Sequence, residues 1–284
     1  MLTKSTLITL LLLFISLPIL IAQQFLDKTL MHDGETREYR IYIPANYQGN
    51  SNVPLIFNFH GGGGDIASQV FTSDMRPIAD TAGFLLVYPQ ALPDPNDGGT
   101  FLWTHKQPTT VDDIFFVEAM IDTIASEYMI DESRVYGCGF SNGGEFTFEL
   151  ACRLSDRIAA IGVVARSMFI ETFNICSPTH PTAVVTIHGT DDDYDGIIFA
   201  GTTFYISLDD ANDYWSTYNN TNTSPIINQL PNTNTTDGST VEHHIWENGD
   251  GCVSVEHFKV IGGGHDWPGT FGTVSYTHLT LPTI

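Results

Sequence analysis

Val135-Tyr136-Gly137-Cys138-Gly139-Phe140-Ser141-Asn142-Gly143-Gly144 decides the reading of this chain: a β-type apolar run stops at Gly-x-Ser-x-Gly and a helical pattern begins. At a sharp strand-to-helix turn the flanking glycines let backbone crowd the serine. The Oγ then projects into a cleft and the following N–H, that of Asn142, faces a developing oxyanion. Ser141 is therefore the candidate nucleophile. The pentapeptide alone is equally compatible with a plain turn, so its meaning rests on what accompanies it.

Three further pieces fall in a telling order. Residues 54–59 read as a buried strand that runs into His60-Gly61-Gly62-Gly63-Gly64, where side-chain-free backbone can approach a substrate carbonyl and stabilise the charge that develops on it. A phosphate cradle is set aside because no Gly-Lys-Ser/Thr follows. Residues 183–187 form a second strand-like run, ending in His188-Gly189-Thr190-Asp191-Asp192-Asp193. Residues 258–261 form a third, ending in Gly262-Gly263-Gly264-His265. His265 is the candidate base. Asp191, Asp192 and Asp193 all stand where an acid could orient it. The chain order Ser, Asp, His is that of α/β-hydrolases, whereas other triad folds use different orders. A calcium loop beginning at Asp191-x-Asp193-x-Asp195-Gly196 has Thr202 at its twelfth position, where a bidentate Glu is needed.

The set His60-Gly61-Gly62-Gly63, Gly139-Phe140-Ser141-Asn142-Gly143-Gly144, His188-Gly189-Thr190-x-Asp192 and Gly263-Gly264-His265-x-Trp267-Pro268-Gly269 resembles the secreted polyhydroxybutyrate depolymerase and feruloyl esterase family. Residues 37–44, Asp112-Asp113 and Leu150-Ala151-Cys152 add to the resemblance. It implies Ser141 as nucleophile, Asp192 as acid and His265 as base, with the N–H groups of Asn142 and Gly62 as oxyanion hole. It also implies an α/β-hydrolase fold and chemistry that needs no metal or organic cofactor. The segment after Asp192 is shorter than family members carry, which bears on the pocket rim beside it.

Residues 1–22 have a lone Lys4, an apolar core and Ala22 before two glutamines, the form of a signal peptide with too short a core for a membrane span. Residues 23–273 are expected to form one catalytic domain, since about 250 residues suit a single large α/β unit. Residues 274–284 resemble a translated sequencing adaptor and are read as a non-native tail, with the final helix that related chains place against the sheet expected to be missing. Thirty-three acidic against eleven basic residues give a net charge of −22. That charge argues against nucleic acid and anionic membrane as partners, and suits a neutral ester, polymeric or small. Four cysteines in an exported chain permit disulfides. Cys152 with Cys176 is the preferred pair, while Cys138 reads as a small buried apolar residue.

Strand-like runs at residues 40–43, 55–59, 84–88, 134–138, 159–164, 183–187 and 257–261 alternate with helical patterns. This predicts a mostly parallel central sheet with helices on both faces. Asp112 or Asp113 opens a helix whose apolar stripe is Phe116, Val117, Met120, Ile121 and Ile124, and both acids read as cap and dipole partners. Residues 216–240, rich in Asn, Thr, Ser and Pro, read as a long surface loop with glycosylation-type sequons at Asn219, Asn222 and Asn234. His60, Trp103 and Trp267 are expected to line the substrate cleft. The expectation is a secreted serine esterase acting on polyester or on feruloyl or acetyl esters. The rivals are a polymer-binding protein that has lost chemistry and a serine peptidase, which usually brings an extra gating domain.

Overall fold

The computed structural model describes residues 23–103 and 111–269, so the leader at 1–22 and the tail at 274–284 lie outside the described residues. In chain order its strands are β1 (Gln24–His32), β2 (Glu35–Ile43), β3 (Val53–Phe59), β4 (Leu85–Pro89), β5 (Pro93–Asp94), β6 (Thr100–Phe101) and β7 (Ile130–Phe140). They continue as β8 (Ala160–Val164), β9 (Ala183–Gly189), β10 (Ile197–Phe199), β11 (Thr202–Tyr205), β12 (Ile226–Gln229), β13 (Thr240–Trp246) and β14 (Val255–Ile261). The helices are α1 (Ile66–Thr72), α2 (Arg76–Ala82), α3 (Asp113–Glu127), α4 (Asn142–Arg153), α5 (Ile170–Ile175) and α6 (Leu208–Tyr218).

A 10-stranded sheet runs in the order β1-β2-β4-β3-β7-β8-β9-β14-β13-β12. Strands β4, β3, β7, β8, β9 and β14 pair in parallel, and antiparallel strands finish both edges. The parallel strands are apolar throughout because both faces are covered, as β4 shows. Leu85 and Val87 point into a core shared with α3, α4 and α6, while Leu86 and Tyr88 point into one shared with α1 and α2. After β3 the chain goes to β4 on one side and then returns to β7 on the other. This reversal opens a crevice at the carboxyl ends of the parallel strands.

Asp112 caps α3, its carboxylate accepting from the N–H groups of Ile114 and Phe115. Asp113 turns inward and forms a buried 2.6 Å ion pair with Arg37, whose guanidinium also lies 3.9 Å from the Phe116 ring centroid. Cys152 and Cys176 are disulfide-bonded, tying the end of α4 to the end of α5. Cys138 and Cys252 are free, and burial pushes the Cys138 thiol up to about 12.

The expected loop at residues 216–240 is corrected in two places. Its first residues complete α6, held by the fully buried Trp215, and β12 forms an edge strand paired with β13. A four-residue edge strand is held by backbone bonds to its neighbour, so polar composition conceals it. Asn219 is no surface acceptor for glycan. It is fully buried, its carbonyl accepting from Thr182 N–H at 2.9 Å and its amide donating to Thr182 O at 2.7 Å.

Candidate active site

Ser141 sits between β7 and α4 with φ 53 and ψ −121, a conformation costly for a residue with a side chain. Close packing on both sides enforces it. A Cβ on Gly139 would lie 2.3 Å from Gly143 O, and one on Gly143 would lie 2.4 Å from Phe59 O. Only glycine lets the end of β7, the start of α4 and the end of β3 approach this closely. The Ser141 N–H is bonded to Val164 O at 2.9 Å, fixing the turn against β8.

Two other strand ends deliver the remaining groups. Asp192 follows β9 and His265 follows β14, which pair in parallel. His265 Nε2 lies 2.8 Å from Ser141 Oγ, and its Nδ1 lies 2.8 Å from Asp192 Oδ2. With Nδ1–H donating to the carboxylate, Nε2 is left to accept the serine proton. Burial pulls the Asp192 carboxyl upward, but the His265 hydrogen bond, the Asp193 N–H and the nearby imidazole charges outweigh it and hold the carboxyl below its ordinary value. Of the three consecutive acids, Asp193 turns instead to Arg166, 3.3 Å away. The ring of His265 rests on Phe140, with centroids 5.2 Å apart.

The glycine loop after β3 lies over this turn. A Cβ on Gly61 would fall 3.3 Å from Ser141 Cβ, and one on Gly62 would fall 3.6 Å from Asn142 Cβ. Asn142 is the first residue of α4, so its N–H has no partner within the helix and lies at the positive end of the dipole. Its side chain clamps the backbone of Trp103, accepting from the N–H at 2.8 Å and donating to the carbonyl at 3.1 Å.

The expectation that His60 and Trp103 line the cleft is corrected by their burial. Trp103 is 0% exposed, packed on Phe59 and Phe146, and its Nε1 donates to His60 O at 2.9 Å. His60 is 1% exposed. Its Nδ1–H donates to Gly61 O at 2.8 Å and its Nε2 accepts from Ala91 N–H at 3.1 Å. Both residues brace the glycine loop from beneath, because large rings with satisfied polar atoms are more stable there than in water. Trp267 is half-buried and packs against the cluster of Ile187, Val241, Phe258 and Val260.

Arg166, Tyr205 and Glu145 escaped the sequence reading, and His188 was read only as part of a motif. Arg166 follows β8 after a turn in which Ala165 takes φ 55, and its Nη2 donates to Ser141 Oγ at 3.3 Å. Its guanidinium lies 4.8 Å from the Tyr205 ring centroid. Tyr205 in turn donates to Glu145 Oε2 at 2.7 Å. Burial pushes the Glu145 carboxyl up to about 7, against the hydrogen bond from Tyr205 and the charge of Arg166. His188 is buried with Nε2 3.3 Å from Asp192 Oδ2, and burial lowers it to about 4, so it is neutral where His265 is to act. The available signal was position: Arg166 is the one charge in a neutral run past the carboxyl end of a parallel strand, where functional side chains gather.

A serine on a strained elbow after β7, a carboxylate after β9 and an imidazole after β14, joined by hydrogen bonds on an α/β-hydrolase fold, have the arrangement of a serine triad. The family model described as esterase PHB depolymerase matches residues 37–201, and the chain belongs to that family, which places it among the carboxylic ester hydrolases. It is 33% identical over 160 residues to a bifunctional acetylxylan esterase/xylanase of Neocallimastix patriciarum, covering 56% of this chain and 22% of that protein. It is 25% identical over 256 residues to feruloyl esterase B of Piromyces equi, covering 87% of this chain and 46% of that protein. The chain thus spans less than half the length of these two relatives. Among solved structures, an acetyl xylan esterase from Aspergillus awamori shares the fold with a TM-score of 0.58 at 17% identity, covering 86% of this chain and 94% of that one.

Proposed function

We propose that this protein is a secreted serine esterase that hydrolyses carboxylic esters through an acyl-enzyme at Ser141. The observation that carries the proposal is the unbroken relay from Asp192 through His265 to Ser141, with both links at 2.8 Å. As Ser141 Oγ attacks the ester carbonyl, His265 Nε2 takes its proton and Asp192 stabilises the imidazolium. The carbonyl oxygen, now negative, is received by the N–H groups of Asn142 and Gly62. Collapse expels the alcohol, which leaves with the proton from His265. Water then gives a proton to His265 and attacks the acyl group, and the acid departs as Oγ recovers its hydrogen.

Two features support export: the apolar leader read in the sequence and the Cys152–Cys176 disulfide, a bond that persists in oxidising compartments. No described helix is long and apolar enough to cross a membrane. The substrate class is a neutral ester, either of a hydroxyalkanoate polyester or of feruloyl or acetyl groups on plant polysaccharide. The names of the two fungal relatives support the polysaccharide esters. A panel of p-nitrophenyl esters, methyl ferulate, acetylated xylan and polyhydroxybutyrate film tests the reading. Turnover of at least one class is expected, and inertness toward all of them overturns it.

A further inference from the structure

We propose that Arg166 makes the catalytic centre a binding site for short carboxylate anions, so that the acid product is retained after deacylation and competes with the incoming ester. On the ester-hydrolase reading, the carboxylate is the reaction product. Its binding is a property of the site that can be measured without turnover.

The argument begins with the charges around Ser141 Oγ. Arg166 Nη2 lies 3.3 Å from that oxygen, Nη1 lies 3.3 Å from Asp193 Oδ2, and Nε is buried with no hydrogen-bond partner among the described residues. The side chain is only 16% exposed, so its charge is poorly screened, whereas its acidic partner Asp193 is 48% exposed. Tyr205 supports the guanidinium from one side and carries the Glu145 contact away from it. The Arg166 guanidinium therefore reaches the same oxygen as His265 Nε2, beside the first residue of α4 and the glycine loop whose N–H groups are proposed to receive the oxyanion.

A neutral ester meets these donors with one carbonyl oxygen. The carboxylate released from it has two oxygens sharing a full negative charge: one can remain at the N–H pair while the other faces Arg166. Planar guanidinium suits carboxylate in geometry and charge, and such charge-assisted bonds are stronger than those between neutral groups. The product is therefore bound better than the substrate at this one contact. Asp193 opposes the effect as an internal competitor for the same guanidinium, with Glu145 as a second negative group behind Tyr205.

The test uses sodium acetate and sodium propionate against sodium chloride at matched ionic strength and pH 7.5. In the wild-type protein, acetate but not chloride should raise the melting temperature, by an amount growing with the logarithm of acetate concentration above its Kd, and inhibit ester hydrolysis competitively. Arg166→Gln should weaken both effects by about tenfold or more, as loss of a charge-assisted hydrogen bond does. Asp193→Asn should strengthen them by freeing the guanidinium. The proposal is overturned if chloride acts as strongly as acetate on the wild-type protein, or if acetate acts equally on all three proteins. A protein that binds acetate through Arg166 yet hydrolyses no ester would leave the carboxylate site standing and sink the proposed function, and with it the claim that the bound anion is the reaction product.

Discussion

Asp192 Oδ2 lies 2.8 Å from Nδ1 of His265, while the neighbouring Asp193 carboxylate is turned to Arg166 at 3.3 Å. Two consecutive acids are thus given different partners by the turn after β9. The relationship fixes one tautomer of the base and predicts unequal effects of mutation. Asp192→Asn should lower kcat by up to about 10⁴, through the wrong tautomer and an unsupported imidazolium. Asp191→Asn and Asp193→Asn should stay within about tenfold of wild type. Steady-state kinetics on a p-nitrophenyl ester decides, and a more severe loss in Asp193→Asn would contradict the assignment.

Acid should destabilise the fold through two buried histidines. Burial holds His188 at about 4 and His257 at about 3, the latter between Thr186 Oγ1 and the Tyr194 hydroxyl. Both folded values lie below the unfolded value of about 6.5, so below that pH the unfolded chain binds more protons and stability falls as pH drops. Each histidine should remove about 3 kcal/mol between pH 7 and pH 4. Urea unfolding midpoints across that range are the check; a flat profile would show that the rings are not held neutral.

Glu145 acts in the opposite sense. Its folded value of about 7 lies above the ordinary glutamate value, so the folded state binds the extra proton and stability falls as pH rises from about 4.5 to 7. Glu145→Gln keeps an acceptor for the Tyr205 hydroxyl and removes the buried charge. The variant should match wild type below pH 4.5 and exceed it by about 3 kcal/mol above pH 7. Equal stability of the two proteins at pH 8 would count against the raised carboxyl.

The elbow should tolerate no side chain on Gly143. A Cβ there meets Phe59 O at 2.4 Å and His60 O at 2.6 Å, both backbone atoms that cannot swing aside. Gly143→Ala should lose more than about 3 kcal/mol of stability, the range reserved for severe steric conflict. At Gly162 the nearest atom is Cys138 Cβ at 3.4 Å, so Gly162→Ala should stay within about 1 kcal/mol. Melting temperatures of the pair make the comparison, and similar values would mean that the elbow yields.

The residues legible in the sequence were those whose type and place carry a constraint. Buried parallel strands such as β3 and β9 read directly because both faces are apolar, and a helix start at Asp112 or Asp113 read from their position before an apolar stripe, the structure making Asp112 the cap. Strand β1 was missed because at the sheet edge none of its residues is fully buried and its apolar residues fall in adjacent pairs instead of alternating, and β12 because a polar segment can pair by backbone alone. Trp103 and His60 were misplaced in the cleft because sequence gives nearness to a glycine loop but not the side of it. Arg166 had no motif; its contact with Ser141 depends on the turn at Ala165 that directs it from the end of β8 toward the end of the neighbouring β7.

The central claim is tested most directly by trapping the acyl-enzyme. Wild-type protein mixed with a p-nitrophenyl ester and quenched with acid should carry one acyl group, located by mass spectrometry on the peptide containing Ser141. Ser141→Ala should fold normally, carry none and lose turnover by several orders of magnitude. Acylation elsewhere, or residual turnover of Ser141→Ala within about tenfold of wild type, would contradict the account.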